Sequence, residues 1–298
     1  MRIGLSGGAA TVDRMIEQAV EAEDDGFASL WYASAIGGDP LVAMALAGRA
    51  TTTIELGTSV LQTYTCHPVL QANRVASVVA AMGRPGFTLG IGPSHKPLID
   101  GVYGLSYDHP GRHTEEYVRV LAALLGGKEA SFDGEDFRVH SMGRATAPEH
   151  PVPLLVSALG PRLLRVARDL ADGTITWMAN AHAIESHVVP RLGETSRIVA
   201  GLPVCVHDDV DAARAEAAQQ FAMYGTLPNY QRILIIGGAD GPADAAIIGD
   251  EASVSAQIEA LFAAGATDVW AAIFPAGTDK RGSRERTRAL LKELAHQS

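Results

Sequence analysis

The feature that most constrains this chain is a rhythm of eight short apolar runs. They are Arg2–Ser6, Ser29–Tyr32, Ile54–Leu61, Phe87–Gly92, Pro153–Leu159, Gly173–Met178, Leu202–His207 and Asp268–Phe274. Each is nearly continuous in Val, Ile, Leu and Thr, as a strand covered on both faces of a parallel sheet must be. Helical stripes separate them. Val12, Met15, Ile16, Ala19 and Val20 share one face before Gly26, and Tyr117, Val118, Leu121, Leu124 and Leu125 share another before Gly126-Gly127. Eight strand–helix units in one chain predict an α/β fold, a closed (β/α)8 TIM barrel, with residues 1–298 as a single domain.

The spacing also places two insertions. The runs start at 2, 29, 54, 87, 153, 173, 202 and 268, so two intervals of 66 residues follow the fourth and seventh. The excess is expected at roughly 93–152 and 225–252. The first insertion contains Ser131–Val139, which alternates about Asp133-Gly134 like a hairpin. The second, Gly225–Gly249, is rich in Gly, Pro and Ala and reads as a mobile loop over the barrel mouth.

Composition removes several functions. The 34 acids against 24 bases give a net charge of −10, so the basic footprint of a nucleic-acid binder is missing. No apolar run approaches the roughly 20 residues of a membrane span, and Met1 leads directly into the first strand without a signal peptide. Cys66 and Cys205 stand far apart in apolar contexts. A reduced, cytoplasmic protein is the expectation, although one disulfide stays open.

A barrel of this type works at the C-terminal ends of its strands. After the fifth run, Gly160 and Pro161 stand at the N-cap and first position of a helix, a ready anion site, with Arg162, Arg165 and Arg168 following. Taken alone, a plain helix start with solvated arginines is the simpler reading. Gly90-Ile91-Gly92-Pro93-Ser94-His95 opens like a dinucleotide loop but lacks the third glycine. The ten histidines include no pair at metal-ligand spacing, so no metal site is expected. His67, before Pro68, reads as a helix cap. His95, in a turn at the mouth, is the candidate proton partner, balanced evenly against an ordinary loop histidine. No Ser-His-Asp set or paired carboxylates occupy the strand ends, which points to chemistry supplied by a cofactor.

These strand ends resemble the bacterial luciferase-like family, and within it the coenzyme F420-dependent oxidoreductases. The carrying segments are IELGTSVLQTYTCHP at 54–68, FTLGIGPSH at 87–95, YGLSYDHPGRH at 103–113, SALGP and DGTITWM within 152–178, and LPVCVHDD at 202–209. The resemblance implies a non-proline cis peptide at Ser59-Val60, forming a bulge behind the cofactor ring. It implies a cofactor-phosphate site at the strand-five turn, formed by Ser157, Ala158, Leu159, Gly160, Pro161 and Arg162. Gly92, Ser94 and His95 would flank the ring edge, with Trp177 from the end of strand six. It implies hydride transfer between the deazaflavin and a small organic substrate, and it allows a homodimer.

One departure matters. Sugar-phosphate-oxidising relatives carry an acid and a histidine after strand two, where this chain has Ser34 and Ala35, and a glutamate near His95. The glucose-6-phosphate type of mechanism is therefore not expected, and a neutral or apolar substrate is. Three alternatives stay open: an FMN-dependent monooxygenase using reduced flavin and oxygen, a non-catalytic flavin- or deazaflavin-binding barrel, and a sugar-phosphate barrel without redox chemistry. An acidic protein holding a polyanionic cofactor also needs a local positive field, for which Arg162 and Arg165 are the expected sources.

Overall fold

The computed structural model describes residues 1–34, 38–141, 147–193 and 195–297. Ala35, which the comparison of strand-two ends involves, lies outside them. So does the stretch 142–146 of the first expected insertion.

Eight parallel strands close into a barrel: β1 (Arg2–Ser6), β2 (Ser29–Tyr32), β3 (Glu55–Thr58), β4 (Phe87–Gly92), β5 (Leu154–Val156), β6 (Gly173–Trp177), β7 (Arg197–Val206) and β8 (Asp268–Ile273). Each pairs with its neighbours in sequence, and β8 returns to β1. Helices cover the outside, as the near-continuous burial of the strands requires. The seventh strand begins at Arg197, five residues before the apolar run that signals it. The cause is Arg197 itself together with Ala200 and Gly201, which dilute the apolar pattern although the strand is buried along this stretch.

Large aromatics fill the barrel interior. Trp31, Leu155, Ile175, Val199 and Trp270 form one buried cluster. Room for the two indoles comes from glycine. A Cβ on Gly57 would stand 2.2 Å from the Trp31 ring, and one on Gly201 would stand 2.0 Å from the Trp270 ring. Trp31 Nε1 donates to Ser29 Oγ at 2.8 Å, so the deeper indole is polar-satisfied.

Below the indoles, charges plug the N-terminal end. Arg197 donates to Asp268 at 3.0 and 2.6 Å and to Glu55 at 2.8 and 3.1 Å. Arg2 bridges the same two carboxylates from the rim. Asp268 is 2% exposed, and its arginine partners hold its carboxyl below the usual range against the opposing effect of burial. Removing one member of such a set leaves buried charge uncompensated. Arg197→Ala is therefore expected to cost about 3–5 kcal/mol of unfolding free energy, read as a lower denaturant midpoint with an unchanged slope.

The segment 225–249 is not a loop. It takes in the end of a 3-10 turn over Ala222–Thr226, helices Pro228–Ile236 and Pro242–Ala245, and a short strand, Ile247–Gly249, that extends the sheet beside β7. Pro228 sits at the first helical turn, and Tyr230, Ile233 and Leu234 are buried from one stripe. The scattered glycines hid that stripe. Residues 131–140 form the expected antiparallel hairpin. Glu116 secures its turn by accepting the N–H groups of Glu135, Asp136 and Phe137 at 2.8–3.1 Å.

Candidate functional site

At the open end of the barrel β3 breaks. Thr58 ends the strand, the Ser59-Val60 peptide is cis, and Leu61–Gln62 resumes pairing against Ile91–Gly92. Thr58 Oγ1 fixes the break from below, donating to Gly90 O at 2.7 Å and accepting Gly90 N–H at 2.8 Å. Ser59 N–H donates to Tyr32 O at 2.8 Å. The Val60 side chain of the bulge packs onto Gly90 and Gly92, its methyls 3.2 Å from where each Cβ would stand. A Cβ on Gly92 would meet Ser157 Cβ at 2.8 Å and Val60 Cγ2 at 3.2 Å. Val60, Gly92 and Ser157 are thus brought together at one lip of the mouth.

Two turns beside this lip hold unusual backbone. Ser94 and Met178, following β4 and β6, adopt φ of 61° and 64°, the positive values among the described residues other than glycine. Side chains seldom pay for that conformation away from a site that needs it. The Ser94 turn is held by Tyr107, whose hydroxyl donates to Ser94 O at 2.7 Å. It delivers His95 to the N-cap of the short helix Lys96–Ile99, where the imidazole caps nothing.

Aromatic side chains surround His95. Its ring lies edge-on to Tyr230 at 5.6 Å and to Tyr224 at 6.3 Å. Tyr224 continues to Trp177 at 5.7 Å, and Trp177 stacks on Trp270 at 5.1 Å. Among the described residues the His95 imidazole has no hydrogen-bond partner. Burial lowers its pKa, so it stands neutral at pH 7 with both ring nitrogens open to a ligand. The Trp177 N–H also lacks a partner of normal geometry; the Tyr224 hydroxyl is the polar group facing it.

The strand-five turn lies on the same face. Gly160 is the N-cap of helix Pro161–Leu170, Pro161 is in its first turn, and no side chain caps the free N–H groups. Ala158 and Leu159 are 0% and 8% exposed, so they can offer a ligand only backbone, and Leu159 O already accepts from His187 Nε2 at 2.8 Å. Arg162 turns away from its expected role. It donates to Glu115 on the neighbouring helix at 3.1 and 2.9 Å. The guanidinium beside this helix start belongs instead to Arg232, whose Nη1 lies 3.6 Å from where a Gly160 Cβ would be. Arg232 is exposed and has no ionic or hydrogen-bond partner among the described residues.

Sequence reasoning missed Arg232 and Tyr230, which ride on the segment read as a loop, and Tyr224, which immediately precedes it. Leu227-Pro228 followed by the Tyr230, Ile233 and Leu234 spacing was the available signal. His67 caps helix Pro68–Met82 through Nδ1, accepting Val69 N–H at 3.3 Å.

Residues 1–294 match the luciferase-like monooxygenase family, and the chain belongs to it. A relative from Mycobacterium tuberculosis, named a putative coenzyme F420-dependent oxidoreductase, is 27% identical over 251 residues, covering 75% of this chain and 72% of its own. Among solved structures, an F420-dependent secondary alcohol dehydrogenase in complex with an F420-acetone adduct superposes with a TM-score of 0.76 at 19% identity, over 97% of both chains. The oxygenating constituent of 3,6-diketocamphane monooxygenase from Pseudomonas putida, in complex with FMN, superposes at 0.70 and 15% identity, over 99% of this chain and 97% of its own. The last two likenesses are of fold.

Three sheltered imidazoles set a pH dependence. Burial lowers the pKa of His95, His113 and His187 below 6.5. The unfolded chain takes up protons at about 6.5, where the folded one resists, so stability falls with pH below that point. Denaturant midpoints should drop between pH 7 and about 5, and His113→Gln should flatten part of the slope. A profile level across that window would contradict the buried neutral state.

Proposed function

We propose that this protein is a coenzyme F420-dependent oxidoreductase acting on a small neutral organic compound. The single observation that carries the reading is the meeting, at one barrel mouth, of the Ser59-Val60 bulge packed onto Gly90 and Gly92 and an open helix N-terminus with a free arginine.

The donor set suits such a cofactor. A flat ring needs an apolar backing, and the Val60 methyls packed onto Gly90 and Gly92 would supply one. A phosphate needs unsatisfied N–H groups and positive charge, and the Gly160-Pro161 turn with Arg232 supplies both. When bound, F420 supplies hydride transfer at its C5 carbon. The chain's own work is placement, exclusion of water and management of one proton. Tyr224 and Tyr230 shelter the His95 ring from bulk water, and Trp177 backs Tyr224. Its lowered pKa leaves His95 neutral, able to accept a proton from an alcohol or, once protonated, to return one to a carbonyl oxygen. None of the aromatic groups around it is charged, which favours a neutral substrate over a phosphorylated one.

An FMN-dependent monooxygenase is the second reading, favoured by the fold shared with the FMN-bound diketocamphane enzyme. Fluorescence titration separates the two. Saturable binding of F420 with none of FMN is expected, the reverse would establish the monooxygenase reading, and binding of neither would refute both. Arg232→Ala should weaken F420 about fivefold at low salt, the loss of one exposed charge contact. His95→Gln should lower turnover by roughly two orders of magnitude, the usual scale of a general acid–base group.

A further inference from the structure

A groove of about 210 Å³ lies outside the barrel, between helices Pro110–Leu125 and Pro161–Leu170. We infer that it is a polycarboxylate site, which takes the oligoglutamate tail carried beyond the phosphate of coenzyme F420. The inference rests on the F420 reading above.

Position comes first. Arg162 lines the groove and is the second residue of the helix whose N-cap, Gly160, begins the proposed phosphate site. Arg165 follows one turn further along the same helix, and Arg119 faces it from the other. A chain leaving the phosphate thus enters this groove within one helical turn, about 5 Å.

Charge comes second. The protein as a whole is acidic, at −10. The groove reverses that sign, with three guanidiniums against the carboxylates of Glu115 and Asp169. One carboxylate, Glu115, serves both Arg162, at 2.9 Å, and Arg119, at 3.9 Å. Asp169 is engaged by Arg168 at 2.7 Å. Arg165 is exposed and has no ion pair or hydrogen bond among the described residues. Two arginines sharing one acid, and a third that reaches Asp169 only at longer range while Arg168 holds that carboxylate, leave cationic capacity that the fold does not use. Val166, 5% exposed, gives the floor an apolar strip against which the methylenes of glutamate can lie.

The site also accounts for Arg162 pairing with Glu115 rather than turning to the phosphate. The shared carboxylate holds the guanidiniums at spacings a row of carboxylates can match, and incoming acids displace it.

The test compares two cofactor forms by fluorescence titration: F420 with its glutamate tail and the form without glutamates. Exposed ion pairs give up to about 1 kcal/mol each, so the wild-type protein should bind the tailed form roughly five- to tenfold tighter at low salt. That preference should vanish near ~0.5 M salt, where screening is short-ranged. It should also vanish in the Arg119→Ala/Arg165→Ala double variant, whose affinity for the tail-free form stays near wild type. Both substitutions are at exposed positions, and a thermal melt confirms the fold. Equal affinity for both forms in the wild type, or a double variant that loses both equally, overturns the tail site and leaves the F420 reading standing. Failure of both forms to bind overturns the F420 reading itself, and the tail site with it.

Discussion

Two indoles inside the barrel determine much of what surrounds them. Trp31 and Trp270 are too large for a ring of eight strands unless facing positions give up their side chains, and Gly57 and Gly201 do so. Their close approach has two consequences. The interior is filled with apolar matter, so no channel runs through the barrel and chemistry is confined to its upper end. The charges at the lower end, Arg197, Glu55 and Asp268, are sealed beneath that layer and must satisfy one another. Trp270 then serves as the base on which Trp177 stacks, and Trp177 begins the aromatic wall of the mouth. Core packing and site construction are one continuous stack.

The acidic balance becomes less paradoxical once the acids are located. Asp39, Asp209, Asp250 and Asp279 each cap a helix, their carboxylates accepting first-turn N–H groups. Glu23 accepts the N–H groups of Thr52, Thr53 and Ile54, and these bonds pull its pKa down to about 2 against the effect of burial. Such acids are committed to backbone and project little field toward a ligand. Helix Pro161–Leu170 differs from those four in having glycine at its N-cap. Where the others are closed by their own aspartate, this one is open, and an unpaired arginine stands next to it.

How much of this could be read from the sequence follows from the range of the interactions involved. A buried parallel strand announces itself locally, because both of its faces must be apolar, and the eight runs identify all eight strands. The β7 start was displaced because Arg197 is buried by ion pairing, which no local pattern encodes. The 225–249 segment was misread because glycine and proline mark helix ends as well as loops, and its short helices leave little room between them. Gly160 and Pro161 were legible as a helix start. Which arginine serves that start was not: Arg162 is adjacent in sequence but captured by Glu115, whereas Arg232 arrives from 70 residues away.

The site divides its electrostatics between two environments. Around His95 the walls are tyrosine and tryptophan, solvent is partly excluded, and the imidazole is held neutral. Around Gly160 and along the outer helices, guanidiniums and free N–H groups stand in water. A ligand with an uncharged reacting end and a heavily charged far end fits this division, because each end meets the environment in which it costs least. The reverse arrangement would bury phosphate among aromatics without a counter-charge and leave the reacting atoms exposed to water. For that reason the aromatic enclosure and the exposed arginines are complementary requirements of the single ligand proposed above.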